Sequence, residues 1–193
     1  MPIRPLWLPK QGDTTFEEIG CVGLHPQSRR LDAVVFVKQS TGYSGGICTK
    51  GSQECVRFYL SPDNGASWID QGAASVTVCD VAQPGTHQRL EYAVSVPCAP
   101  HEKFCLFDNT LRVRAILSWD QCPPANQPNW VPVWGEVHNT NIEVQPRKTI
   151  PWWELLNEFK VKLPLNVAQH LDLDQQAQLK TPPALSLAQL HAL

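Results

Sequence analysis

Arg57-Phe58-Tyr59-Leu60-Ser61-Pro62-Asp63-Asn64-Gly65-Ala66-Ser67-Trp68 holds the clearest turn in the chain. Phe58, Tyr59 and Leu60 favour an extended backbone, and Ser-Pro-Asp-Asn-Gly then supplies dense turn chemistry. Asp and Asn tolerate a left-handed backbone and can bond their own turn, while glycine accepts positive φ without a steric penalty. Ala66 to Ile69 resumes an extended pattern, so the stretch predicts a β-hairpin with Trp68 folding back over the turn.

Outward from this hairpin the chain keeps the period of strands. Glu17 to Leu24 predicts a first strand, ended by His25-Pro26, and Leu31 to Lys38 a second that is apolar on both faces at its centre. Cys55 to Leu60 and Ala66 to Ile69 make the hairpin, and Ala74 to Val81 reads as a separate short strand. Leu90 to Val96 follows, with Leu90, Tyr92, Val94 and Val96 on one face. In Leu111 to Trp119, Leu111, Val113, Ala115, Leu117 and Trp119 alternate with Arg112 and Arg114. A Pro/Asn-rich loop then leads to a last strand, Glu136 to Val144. Seven to eight short strands with turn signals between them, and no helical period before residue 150, describe an all-β protein. The reading is a β-sandwich over residues 15 to 146 after an extended lead-in at residues 1 to 14. Its order suits an immunoglobulin-like or fibronectin-type-III-like Greek key, with a jelly roll as the alternative.

The spacing Ser61-x-Asp63-x-Gly65-x-Ser67-Trp68 resembles the Asp-box, a hairpin turn repeated in sialidases and sortilin-type propellers and found singly in β-sandwich domains. The resemblance covers that octet alone. It implies that the Asp63 side chain ties down the turn and that Trp68 packs beneath it, as architecture and not as catalysis. One such turn without internal repeats argues against a propeller.

After Arg147 the period changes. Pro151 sits at a natural first helical position, with an acid close behind, and Trp152, Leu155, Leu156 and Phe159 recur at helical spacing. Pro164 and Thr181-Pro182-Pro183 interrupt the pattern, and Ser186 could cap a last helix carrying Leu187 and Leu190. Residues 147 to 193 therefore read as a short helical tail. The expectation is that its first helix docks on the sandwich, while residues after Lys180 reach a protein partner or the remainder of a longer chain.

A net charge of −2 over 193 residues gives no reason to expect nucleic acid or an anionic membrane as partner. No run approaches the roughly 18 apolar residues that span a bilayer. The N-terminus lacks the apolar core of a secretory signal, which points to an intracellular protein, whereas seven cysteines suit an oxidising compartment. The seven leave at least one thiol unpaired, and the first choice for a disulfide is Cys48–Cys105. Cys21 and Cys79, inside strand-like runs, read as small buried hydrophobes. No cofactor is expected. The minority reading is zinc, with Cys98, His101 and Cys105 as the ligand set.

Catalytic signatures do not emerge: Gly-x-Ser-x-Gly, a cysteine-protease motif, a phosphate loop and a dinucleotide fingerprint are all missing from the sequence. Trp119, Trp130 and Trp134 bracket the Pro/Asn-rich loop and, with Tyr43, offer a face on which sugars could stack. The bland alternative is that these rings cap the core. The functional expectation is a non-catalytic structural or protein-interaction module of a larger protein or assembly, with carbohydrate binding as the second reading.

Overall fold

A computed structural model describes residues 12–81, 89–100, 102–105 and 107–147. The tail residues Trp152, Leu155, Leu156, Phe159, Leu187 and Leu190 lie outside this range, as does most of the lead-in.

Among the described residues there are seven strands and no helix: β1 Glu17–His25, β2 Arg30–Val37, β3 Ser52–Ser61, β4 Ile69–Val78, β5 Leu90–Pro97, β6 Thr110–Trp119 and β7 Gly135–Glu143. They form two antiparallel sheets, one ordered β1-β2-β5 and the other β4-β3-β6-β7. The period-two pattern explains how they meet. Leu31, Ala33 and Val35 of β2 and Val94 and Val96 of β5 turn inward from one sheet. Val56, Phe58 and Leu60 of β3, Leu111, Val113, Ala115 and Leu117 of β6, and Ile142 of β7 turn inward from the other. These side chains make one continuous core, and each large apolar side chain so enclosed stabilises the fold by about 1.5–3 kcal/mol.

β3 is buried on its second face as well. Tyr59 of β3, Ile116 of β6 and Val137 of β7 form a further cluster, with Trp68 and Trp130 packed against it. A third small cluster, Val37, Tyr43 and Val78, closes the end of the sheets where β3 begins and β4 ends.

The strands so formed belong to one unit of the chain. A second unit takes in the described residues of Glu102–Asn109 together with residues 145–147. Within its described part, Phe104 bridges Arg147, the Arg147 amide donates to the Lys103 carbonyl at 2.9 Å, and the Lys103 amide donates to Asn109 Oδ1 at 2.8 Å.

Two departures from the sequence reading have local causes. Ala66–Ile69 and Ala74–Val81 are not separate strands, since the single strand β4 runs through Ile69–Val78. Phe58 pairs with Gly72 and Tyr59 with Asp70, which leaves Gln71 as an extra residue in a bulge. Gly72 takes φ +99° there, so the strand continues past Gly-Ala-Ala, a run whose small side chains conceal the alternation. The second departure is Cys21, which is exposed. The β1–β2 register slips between Ile19 and Cys21, and that slip turns Cys21 away from the core.

Glycine is required at Gly135, where φ is +114° and an added Cβ would run into the Leu117 carbonyl. Gly23 has no heavy atom within 4 Å of the same position. Gly135→Ala should therefore cost at least about 2 kcal/mol, from backbone strain plus the clash, whereas Gly23→Ala should stay within about 0.5 kcal/mol of the parent. Urea unfolding midpoints of the two variants check the contrast.

Candidate functional site

The hairpin turn between β3 and β4 is bonded through side chains. Ser61, buried at the end of β3, donates from Oγ to Asp63 Oδ1 at 2.7 Å and accepts from the Gly65 amide at 2.6 Å. Asp63 Oδ1 also accepts the Ser67 amide at 2.8 Å, and its Oδ2 accepts the Ser67 hydroxyl at 2.5 Å. Asn64 and Gly65 supply the positive φ angles, +57° and +100°. The bonds from Ser67 first, then Ser61, hold the exposed Asp63 carboxyl down at about 2. Trp68 returns over the turn, so that a Cβ added to Gly65 would sit 3.5 Å from its Cζ2. Its ring stays half-buried beneath the Arg114 guanidinium, 4.3 Å from the ring centre.

Three successive outward residues of β3 fasten the loop that joins β6 to β7. Cys55 is bonded to Cys122, with 5.1 Å between Cα atoms. Arg57 pairs with both oxygens of Asp70 at 3.0 Å and donates from Nε to the Pro123 carbonyl at 2.7 Å. Asp70 Oδ2 accepts the Asn126 amide at 2.7 Å. Tyr59 donates to the Pro124 carbonyl at 3.0 Å and accepts the Gln127 amide at 3.2 Å. From β6, Arg114 Nη1 reaches the Pro128 carbonyl at 2.7 Å and Asn129 Oδ1 at 3.0 Å. Ordinary spacing along a strand thus places a disulfide sulfur, a guanidinium and a phenol in one row under the loop.

This corrects the disulfide expected from the sequence. Cys48 and Cys105 are both free and exposed, and the bridge joins the middle strand β3 to the loop crossing its outer face. The minority zinc set lies only partly within the described residues. Cys98 lies in the apolar core, where burial pushes its thiol up to about 11, Cys105 is exposed, and His101 lies outside the described residues. Among the described residues no group of three or more His, Cys, Asp or Glu is arranged to hold a metal ion.

The tryptophans named for a sugar-stacking face are distributed over different surroundings. Trp130 packs on the outer cluster with Tyr59 and Ile116. Trp119 ends β6 half-buried, its amide 3.4 Å from the Trp134 carbonyl. Trp134 stands edge-on to Phe16 at 5.6 Å, and Phe16 stands edge-on to the buried Tyr43 at 6.2 Å. The backbone beneath Trp134 is pinned on both sides, since the Asp13 amide donates to the Val133 carbonyl at 2.9 Å and the Gly135 amide to the Asp13 carbonyl at 2.8 Å. On this braced segment Val133 is 77% exposed and Trp134 37%, with Val131 exposed beside them.

Two charged groups that the sequence reading passed over lie inside the same end of the sheets. Glu17 of β1 and Glu54 of β3 are both 0% exposed. Burial, then the neighbouring Glu54 charge, pushes the Glu17 carboxyl up to about 8, and burial lifts Glu54 to about 7 against a bond from Ser52. The signal was parity: Glu54 shares the inward face with Val56, Phe58 and Leu60, but starting the strand at Cys55 left it out.

No protein-family model matches the chain, and neither the curated proteins nor the solved structures contain a match to it.

Thiol chemistry tests the cysteine assignments. Peptide mapping without reductant should recover Cys55 linked to Cys122. In the folded protein Cys21, Cys48 and Cys105 should alkylate readily, while Cys98 should react only on unfolding. Removing the bridge as Cys55→Ala/Cys122→Ala should cost about 4 kcal/mol by loop entropy, given the 67-residue separation. The turn makes its own pH prediction. Because the folded Asp63 carboxyl is depressed below its ordinary 3.8, the support it gives is present above that value and is lost as pH falls through about 2. Protection of the Ser67 amide should fade over that window, and Asp63→Ala should show low protection throughout.

Proposed function

We propose that this chain is a non-catalytic, immunoglobulin-like sandwich that serves as a protein-interaction module within a larger polypeptide or assembly. The strand order supports the Greek-key part of this reading. The first, second and fifth strands form one sheet and the third, sixth and seventh share the other, with the fourth at its edge. This order is compatible with a fibronectin-type-III-like Greek key, and the seven strands among the described residues suit it better than an eight-stranded jelly roll.

The observation that carries the interaction reading is the braced apolar segment Val131 to Trp134. Large apolar side chains held rigidly in water lose little entropy when a partner covers them, and such anchors dominate the energetics of protein interfaces. A sugar-binding face would need several aromatic planes open together, and here Trp130 packs against the outer cluster instead. The partly buried position of Trp130 on that cluster favours a protein partner over a glycan.

A photo-cross-linking residue placed at position 133 in the full chain, expressed in its source cells, tests this. A discrete protein adduct is expected, and Val131→Asp should lower its yield at least about tenfold, since a buried unpaired charge is strongly disfavoured at an interface. The urea midpoint of Val131→Asp should stay within about 0.5 kcal/mol of the parent, as the site is exposed. A yield indifferent to the substitution, or no adduct at all, would count against the reading.

A further inference from the structure

We propose that Glu17 and Glu54 form a proton-operated latch between the two sheets, closed while both carboxyls are protonated and released when they ionise. Glu17 enters from β1 of the three-stranded sheet and Glu54 from β3 of the four-stranded one. Neither is exposed, and three of their four carboxyl oxygens, both of Glu17 and Oε2 of Glu54, meet no hydrogen-bond partner among the described residues. The remaining oxygen, Glu54 Oε1, accepts the Ser52 hydroxyl at 3.0 Å. A buried carboxylate without donors is strongly disfavoured, while a neutral carboxylic acid is tolerated, so the closed arrangement holds its protons.

The surroundings sharpen the effect. Acting on Glu17 are Asp13 before β1 and Lys38 after β2, the latter already paired with Glu18 at 3.1 Å. Asp120 after β6 acts on Glu54. Tyr43, whose hydroxyl donates to the Phe16 carbonyl at 2.8 Å and whose amide binds Asp80, feels both carboxyls. From β7, Glu136 Oε1 accepts the Ile19 amide and is thereby engaged. Lys38 is thus the one cation in this set, against five carboxyl side chains besides the pair itself, Asp13, Glu18, Asp80, Asp120 and Glu136, with the Tyr43 phenol neutral beside them.

Both folded carboxyls sit above their ordinary 4.5, so their contribution is fully present at acid pH and is lost as pH rises. Between 4.5 and about 7 both protons count, and between about 7 and about 8 that of Glu17 alone. Each proton released on opening favours the open form about tenfold per pH unit. Because Phe16 touches both Tyr43 and Trp134, opening also disturbs the base of the exposed Val133–Trp134 segment. The latch does not depend on what that segment binds.

The test is hydrogen exchange of the full chain from pH 5 to 9, corrected for intrinsic chemistry, read at the Lys38 and Tyr43 amides. The Lys38 amide donates to the Phe16 carbonyl at 2.7 Å, so it reports closure directly. Opening should rise about a hundredfold per pH unit below about 7, about tenfold between about 7 and about 8, and level off above that. Glu17→Gln/Glu54→Gln should remove that rise, and Glu91→Gln, at an exposed site, should leave it intact. If the double variant does not fold, a side-chain NMR titration of the parent decides. Midpoints well above the ordinary range support the latch; two carboxyls titrating near 4.5, a flat parent profile, or an unchanged slope in a folded double variant would overturn it.

Discussion

The double covering of β3 is the constraint that fixes the loop between β6 and β7. A strand in the middle of a sheet has one face against the opposite sheet, and its other face must meet water or be enclosed. Here Val56, Phe58 and Leu60 take the first role, while Cys55, Arg57 and Tyr59 hold a loop over the second. The first part of the loop, Asp120 to Asn129, has few large apolar side chains to bury, so its attachment is a covalent bond and a set of directional hydrogen bonds. The Arg57–Asp70 pair gains from this setting. It is largely shielded from solvent, and each partner also bonds loop backbone, Arg57 to Pro123 and Asp70 to Asn126. A pair so engaged is geometrically determined in a way that an exposed surface pair is not.

The strands were legible because alternation is a local property. Leu31 to Val37 and Leu111 to Trp119 declare themselves by side chain alone, and the turn at Asp63-Asn64-Gly65 by its backbone chemistry. What remained hidden involved register. The one-residue slip after Ile19 reverses the faces of Cys21 and Val22, and no nearby composition announces it. The disulfide was hidden for a related reason: Cys122 comes from a loop whose path is set by Tyr59 and Arg57, so its neighbour follows from tertiary contacts and not from spacing. Glu17 and Glu54 were concealed by the habit of reading acids as solvent-facing, although Glu54 keeps the parity of the core residues after it.

The two ends of the sandwich differ in chemical character. At the end where Ser61 and Asp63 lie, polar groups are satisfied within a few residues, giving a self-contained cap. At the end of Glu17, Tyr43 and Trp134, contacts run between remote segments, and some buried oxygens are left without donors. Satisfied local turns are expected to be rigid, whereas networks with missing partners concentrate sensitivity to solvent conditions. The proposed interaction segment and the proposed latch fall at that second end.

Both register slips, the one after Ile19 and the one at Gly72, fall on strands at the margin of their sheets, β1 and β4. A margin offers unpaired amides and carbonyls to any extended peptide that can match their spacing, and one additional residue destroys that match. Lateral growth of either sheet by strand addition is therefore discouraged at these two margins, where it would otherwise lead to aggregation. Recognition there must proceed through side chains rather than by extension of a backbone ladder, which makes its specificity a matter of sequence and not of extended conformation.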